Sequence, residues 1–135
     1  MTALKVLVVE DDAMIGLLLA EMLKDLGFDV CGVAASEDAA VAEAARCRPD
    51  LMIVDQNLRG GSGASAVEQI LRDGPVPVIF IGGGLPDPLW PRLGFLRKPF
   101  LESDLVRAIQ HALGTRAAAS PLTDHPDEVC RTYPA

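Results

Sequence analysis

Short, nearly uninterrupted apolar runs recur along this chain, and most are followed by a stretch with helical spacing. Leu4–Val9 is valine-rich and ends in Glu10–Asp11–Asp12. Leu51–Val54 ends in Asp55, and Pro77–Ile81 ends in Gly82–Gly83–Gly84. Runs this short and this continuous leave no polar face, so each reads as a strand buried on both sides of a parallel sheet. Phe28–Ala34 reads as a further strand, and Phe95–Leu96 as a short fifth one.

The intervening segments have helical character. Ala13–Leu26 sets Ile15, Leu18, Leu19, Met22 and Leu26 on one side, with Asp12 as N-cap and Gly27 just past the end. Ser36 caps a helix over Glu37–Arg46, in which Ala40, Val41, Ala44 and Ala45 pack. Gly60, Gly61 and Gly63 mark a loop before a helix over Ala64–Arg72, closed by Gly74. Leu85–Leu93 carries Pro86, Pro88 and Pro91, which argue against a regular fourth helix because proline removes a donor and clashes with the preceding turn. Glu102–Leu113 is a last amphipathic helix with Leu105, Val106, Ile109 and Leu113 inward and Gly114 as its stop. From Thr115 the periodicity is lost. The expectation is one domain over residues 1–114 and a flexible tail over 115–135. A chain of 135 residues suits a single core of this kind.

Alternating buried strands and helices imply a parallel sheet covered on both faces. Ligands of such sheets sit at the carboxyl ends of the strands. There the chain carries Glu10–Asp11, Asp55, Gly82 and, after the last strand, Lys98.

Charge and cysteine usage narrow the function. Twelve basic residues against nineteen acidic ones give a net charge of −7, and the tail holds little of it. Phosphate backbones attract Lys and Arg, so this balance argues against nucleic-acid binding. Cys31, Cys47 and Cys130 are widely spaced and lack His neighbours at ligand spacing. They suggest neither a disulfide framework nor a zinc site, and a cytoplasmic location is expected. No apolar run approaches the ~20 residues of a membrane span.

Carboxylates gathered at one rim repel each other unless a cation neutralises them. A hard divalent ion such as Mg²⁺, held by few carboxylates plus water and phosphate, is the natural one. A lysine beside it holds an anion. A metal, a lysine and a carboxylate nucleophile are the minimum set for phosphoryl transfer to an aspartate. Taken singly, each acid at a strand end reads as well as a helix cap or a solvated group; four charged positions at three strand ends do not.

Four motifs in order then resemble a known family: Val8–Val9–Glu10–Asp11–Asp12, Pro49–Asp50–Leu51–Met52–Ile53–Val54–Asp55–Gln56–Asn57–Leu58, Pro77–Val78–Ile79–Phe80 and Lys98–Pro99–Phe100. Over Lys5–Leu113 the chain resembles the response-regulator receiver domains of two-component signalling. The resemblance implies a flavodoxin-like, doubly wound, five-stranded parallel sheet of order 2-1-3-4-5. It implies Asp55 as phosphoacceptor, and Mg²⁺ held by Glu10, Asp11, Asp55 and the backbone carbonyl of Asn57, with Asp11 the more direct ligand of the acid pair. It further implies Lys98 on a phosphoryl oxygen and a cis Lys98–Pro99 bond. The partners would be a sensor histidine kinase or phosphotransfer protein and a downstream protein. The chemistry would be Mg²⁺-dependent self-phosphorylation and autodephosphorylation rather than that of a conventional enzyme.

Two positions depart from the family pattern. Gly82 stands where receivers place Ser or Thr, and Phe95 where a switch tyrosine is common. The usual hydroxyl–aromatic coupling therefore has no partners here. Gly82 and the Gly83 N–H remain as phosphoryl-binding backbone. The Phe80–Gly84 stretch and the proline-broken segment after it resemble the receivers with a shortened fourth helix. The rival reading is a degenerate receiver that acts as a phosphorylation-independent interaction module.

Overall fold

The computed structural model describes residues 3–84 and 94–117. The elements are β1 (Lys5–Val9), α1 (Ala13–Asp25), β2 (Asp29–Ala34), α2 (Glu37–Cys47), β3 (Leu51–Asp55), β4 (Asn57–Leu58), β5 (Gly61–Ser62), α3 (Gly63–Leu71), β6 (Val78–Gly82), β7 (Gly94–Arg97) and α4 (Glu102–Ala117). The five long strands form one sheet of order β2-β1-β3-β6-β7, all pairs parallel. This is the expected 2-1-3-4-5 order. Of the chain's proline-rich stretch, Leu85–Leu93 lies outside the described residues, as does the tail from 118 onward.

Two-residue alternation along the buried strands divides the core into two layers. Leu7, Val9, Met52, Val54, Val78, Phe80 and Phe95 face α2 and α3, where they meet Ala40, Ala44, Val67 and Ile70. Val6, Val8, Leu51, Ile53, Ile79, Ile81 and Leu96 face the other way, onto Leu19, Leu23, Leu105 and Ile109 of α1 and α4. Continuous apolar strands are therefore required, because both faces are covered. Each fully buried aliphatic or aromatic side chain contributes about 1.5–3 kcal/mol relative to exposure.

Right-handed crossovers place the helices. The chain leaves β1 through α1 to reach β2 on one side. It returns through α2 to β3 on the other side of β1, so α1 and α2 fall on opposite faces. The sheet order reverses at β1, and the carboxyl ends of β1 and β3 open the crevice where such folds place ligands.

Local signals account for most boundaries. Asp12 caps α1, its Oδ1 accepting from the Met14 and Ile15 N–H groups at 2.9 and 3.2 Å. Gly27 past the end of α1 has φ +95°, a conformation that favours glycine. Ser36 caps α2 and Ser62 caps α3.

Several expectations are corrected. Leu18 is 56% exposed, and Leu17 is exposed beside it; Gly16, Leu19, Ala20 and Leu23 form the buried stripe of α1. The inward face is turned relative to the apolar pattern because α1 has more apolar residues than one face holds. Ala45 is exposed in the same way. The loop after Asp55 is not wholly irregular: β4 and β5 pair antiparallel as a small hairpin, with Gly60 at φ +71° making the turn. α4 does not stop at Gly114 but runs on to Ala117, since one glycine costs a helix only about 1 kcal/mol and Arg116 and Ala117 favour continuation. Cys31 and Cys47, expected to be unpaired, are joined as a disulfide. β2 and the last turn of α2 pack side by side and set their Cα atoms 6.4 Å apart, inside the usual bridging range. The sixteen-residue spacing carries no trace of that pairing.

Candidate functional site

The rim is built by strand ends. Parallel pairing of β1 with β3 ends at Val9 and Val54, and that of β3 with β6 one residue later at Asp55 and Ile81, so Glu10, Asp55 and Gly82 emerge within one residue of the same level. The backbone ties them down. The Glu10 N–H donates to Ala34 O at 2.9 Å, and the Gln56 N–H to Ile81 O at 3.0 Å. The Lys98 N–H donates to Gly82 O at 2.8 Å, which brings the residue after β7 to the same edge. The Lys98–Pro99 peptide bond is cis, as expected.

Three carboxylates converge there. Glu10, Asp11 and Asp55 each offer an oxygen, and these atoms lie within 4.8 Å of one another. Glu10 is 2% exposed and Asp55 4%, while Asp11 is half-buried at the crevice mouth. Lys98 joins two of them: its Nζ lies 3.0 Å from Glu10 Oε1 and 3.1 Å from Asp55 Oδ2. The other oxygens are held by backbone. The Asp12 N–H donates to Glu10 Oε2 at 3.1 Å, and the Asn57 N–H to Asp55 Oδ1 at 3.0 Å. Asp12 is thus a helix cap, not a member of the acid cluster.

Electrostatics follow from this packing. Burial, reinforced by the neighbouring Asp55 carboxyl, pushes Glu10 up from 4.5 to about 7 against the opposing pull of the Asp12 N–H and Lys98. Burial alone lowers the Lys98 ammonium, but its bonds to Glu10 and Asp55 outweigh that, and its pKa stands above the ordinary lysine value. One ammonium does not satisfy three carboxylates. Glu10 Oε1 is buried and finds no well-directed hydrogen bond, only the ion pair with Lys98. A small hard cation with oxygen ligands matches that deficit and that donor set.

The remaining predicted residues divide. Gly82 is buried at the rim beside Lys98, and Gly83 follows it exposed. Asn57 stands at the start of β4, tied to Asp55 by its N–H. Phe95 is not at the rim. It is 3% exposed in the layer under α2 and α3, with Val54 and Phe80.

Two residues at the site escaped sequence reasoning. A Cβ at Gly63 would run into the Asp55 carbonyl oxygen and the Val54 side chain, so only glycine lets α3 begin this close to the acid-bearing strand. Gln56 is the other. A Cβ on Gly82 would stand 2.7 Å from its Oε1. The one sequence signal for it was a long polar residue directly after Asp55 in a chain whose neighbouring strand ends in glycine.

Sheet order and rim together define a flavodoxin-like α/β domain with an acid-lined carboxyl edge. Residues 6–88 match the family described as "Response regulator receiver domain", and the chain belongs to that family. It is 33% identical over 115 residues to "Transcriptional regulatory protein PdtaR" of Mycobacterium tuberculosis, covering 81% of this chain and 56% of that protein. Among solved structures it resembles the PhyR receiver domain of Erythrobacter litoralis (TM-score 0.74, 34% identity, 84% of this chain and 92% of that one). It also resembles the "Anti-anti-sigma factor PhyR" of Bartonella quintana (TM-score 0.76, 29% identity, 90% and 52%). The chain spans about half the length of the curated relatives heading these matches.

Proposed function

We propose that this domain accepts a phosphoryl group on Asp55 from the phosphohistidine of a sensor kinase or phosphotransfer protein and signals through protein contacts. The observation that carries the reading is the bridge from Lys98 Nζ to Asp55 Oδ2 and Glu10 Oε1 at the crevice where the sheet order reverses. It supports the reading because a carboxylate of the kind that can act as a nucleophile then lies beside a fixed cation and two further acids.

In this reading an Asp55 oxygen attacks phosphorus, the phosphorus–nitrogen bond breaks, and the imidazole leaves and takes up a proton. Glu10, Asp11, Asp55 and the Asn57 carbonyl would hold Mg²⁺, which supplies positive charge for the phosphoryl oxygens. Asn57 N–H holds Asp55 Oδ1 and so orients the carboxylate for attack. Lys98 stays with the phosphoryl oxygens as charge builds on them. The Gly82–Gly83 backbone lines the far side, with the Gly83 N–H as donor. Attack of water on phosphorus, with the Asp55 oxygen–phosphorus bond breaking and inorganic phosphate leaving, would return the domain to its starting state. The Bartonella quintana relative is named an anti-anti-sigma factor, a role exercised on another protein, and this supports an output made by protein contact.

Incubation of wild type with acetyl phosphate and Mg²⁺, read by intact mass, tests the reading. Wild type gains one phosphoryl group and Asp55→Asn gains none. An unmodified wild type, with a kinase and with a small donor alike, overturns the reading in favour of the interaction-module alternative.

A further inference from the structure

The space that a side chain at position 82 would fill is not empty. A Cβ on Gly82 would meet Gln56 Oε1 at 2.7 Å, Cδ at 3.5 Å and Cγ at 3.7 Å. The tip of Gln56 therefore lies in the place of the missing side chain. Gly82 is not glycine for backbone reasons, since its φ is not positive. Its smallness is matched instead to the reach of Gln56.

The placement is fixed from both sides. Gln56 directly follows Asp55, and its N–H donates to Ile81 O at 3.0 Å while its carbonyl accepts from the Gly63 N–H at 3.1 Å. Its backbone thus cannot drift, and only side-chain rotation moves the tip. Gly82 in turn accepts from the Lys98 N–H at 2.8 Å, and Lys98 Nζ reaches Asp55 Oδ2. The carboxamide therefore stands at the rim in the place of a side chain on Gly82, and the residue is half-buried rather than out in water.

We propose that the Gln56 carboxamide, lying over Gly82, donates a hydrogen bond to the phosphoryl group on Asp55 and is a phosphoryl-contacting residue of this domain. This rests on Asp55 being the acceptor. A carboxamide carries a carbonyl and two N–H donors on one flat group, and half a turn about its last bond exchanges them. Toward an anion, the N–H side faces in. Position 82 supplies no side-chain donor, and among the described residues Gln56 puts a neutral polar side chain in its place.

Beryllofluoride with Mg²⁺, a mimic of the phosphoryl group, is the probe. Gln56→Leu keeps an apolar side chain one atom shorter and removes the donor; Gln56→Ala removes nearly all of the side chain. Each is expected to bind the mimic about tenfold more weakly than wild type, with the thermal midpoint and the affinity for Mg²⁺ alone unchanged. The side-chain NH₂ signals of Gln56 are expected to shift when wild type takes up the mimic. Gly82→Ser is expected to tighten the mimic only in the Gln56→Ala background, because in the wild type the new Cβ must first displace the carboxamide. Wild-type affinity in Gln56→Leu together with stationary NH₂ signals overturns the role of Gln56 and leaves Asp55 as acceptor. A wild type that takes neither mimic nor phosphoryl group overturns both.

Discussion

Lys98 Nζ lies 3.0 Å from Glu10 Oε1 and 3.1 Å from Asp55 Oδ2, joining the residue after β7 to the ends of β1 and β3. Asp55 is 43 residues away along the chain and Glu10 twice as far, yet one ammonium spans both carboxylates. The bond offsets part of the negative charge that the strand ends gather at this edge.

Lys98→Gln leaves two buried carboxylates without their shared cation. The variant is expected to lose about 1–3 kcal/mol of stability in the absence of divalent ions, and to regain part of it with Mg²⁺. Chemical denaturation with and without Mg²⁺ measures both. A variant as stable as wild type without metal would show that the bridge contributes nothing to folding.

The two members of the acid pair differ in surroundings. Glu10 is buried and already bonded to the Asp12 N–H, whereas Asp11 stands half-buried at the mouth. Asp11→Asn is therefore expected to weaken Mg²⁺ binding by more than the ~10–100-fold typical of an outer-shell change, and Glu10→Gln by an amount within that range. Glu10→Gln is also expected to raise the metal-free thermal midpoint, because a buried carboxyl crowded by Asp55 is removed. Calorimetric titration with Mg²⁺ and a melting curve without it decide the order; equal losses overturn it.

Gly63→Ala tests the close approach of α3 to β3. The added methyl meets the Asp55 carbonyl oxygen and Val54, and neither is the free end of a flexible chain. The substitution is expected to cost about 1–3 kcal/mol and to shift the amide signals of Val54–Asn57. A denaturation midpoint equal to that of wild type would mean that α3 moves away without cost.

Glu37 joins α2 to the start of α3. Its Oε2 accepts from the Ser65 hydroxyl at 2.6 Å and from Gln69 Nε2 at 2.7 Å, and its Oε1 from the Ser62 N–H at 3.2 Å. The Ser65 and Ser62 bonds, with help from Gln69, hold its carboxyl below the ordinary value of 4.5. A group lowered in the folded state contributes stability that is present above its unfolded pKa and lost as pH falls through the folded one. Glu37→Gln is thus expected to melt lower than wild type at pH 7, with the gap closing below about pH 4.5. Melting curves from neutral pH down into acid check the sign, and a gap that widens in acid contradicts it.

The receiver architecture was legible in the sequence because its signals are local or strictly periodic. Continuous apolar runs this short and this rich in β-branched residues fit strands covered on both faces, and Asp12, Gly27 and Ser36 mark the helix ends by chemistry confined to a few residues. The acids and the lysine were legible as a site because they fall at strand ends, and a parallel sheet brings strand ends to one edge. Apolar excess was less informative. In α1 there are more apolar residues than one face can bury, so Leu18 could be assigned inward only wrongly.

What the chain by itself determined was the layered sheet, the identity of the acid-lined rim and its family. What only the tertiary structure decided were meetings between residues with no sequence relation. The Cys31–Cys47 pairing, the placing of Phe95 in the core layer and the Gln56 tip over Gly82 all depend on the separation and rotation of packed elements. Those are set by the summed packing of two core layers, and no local pattern encodes a sum.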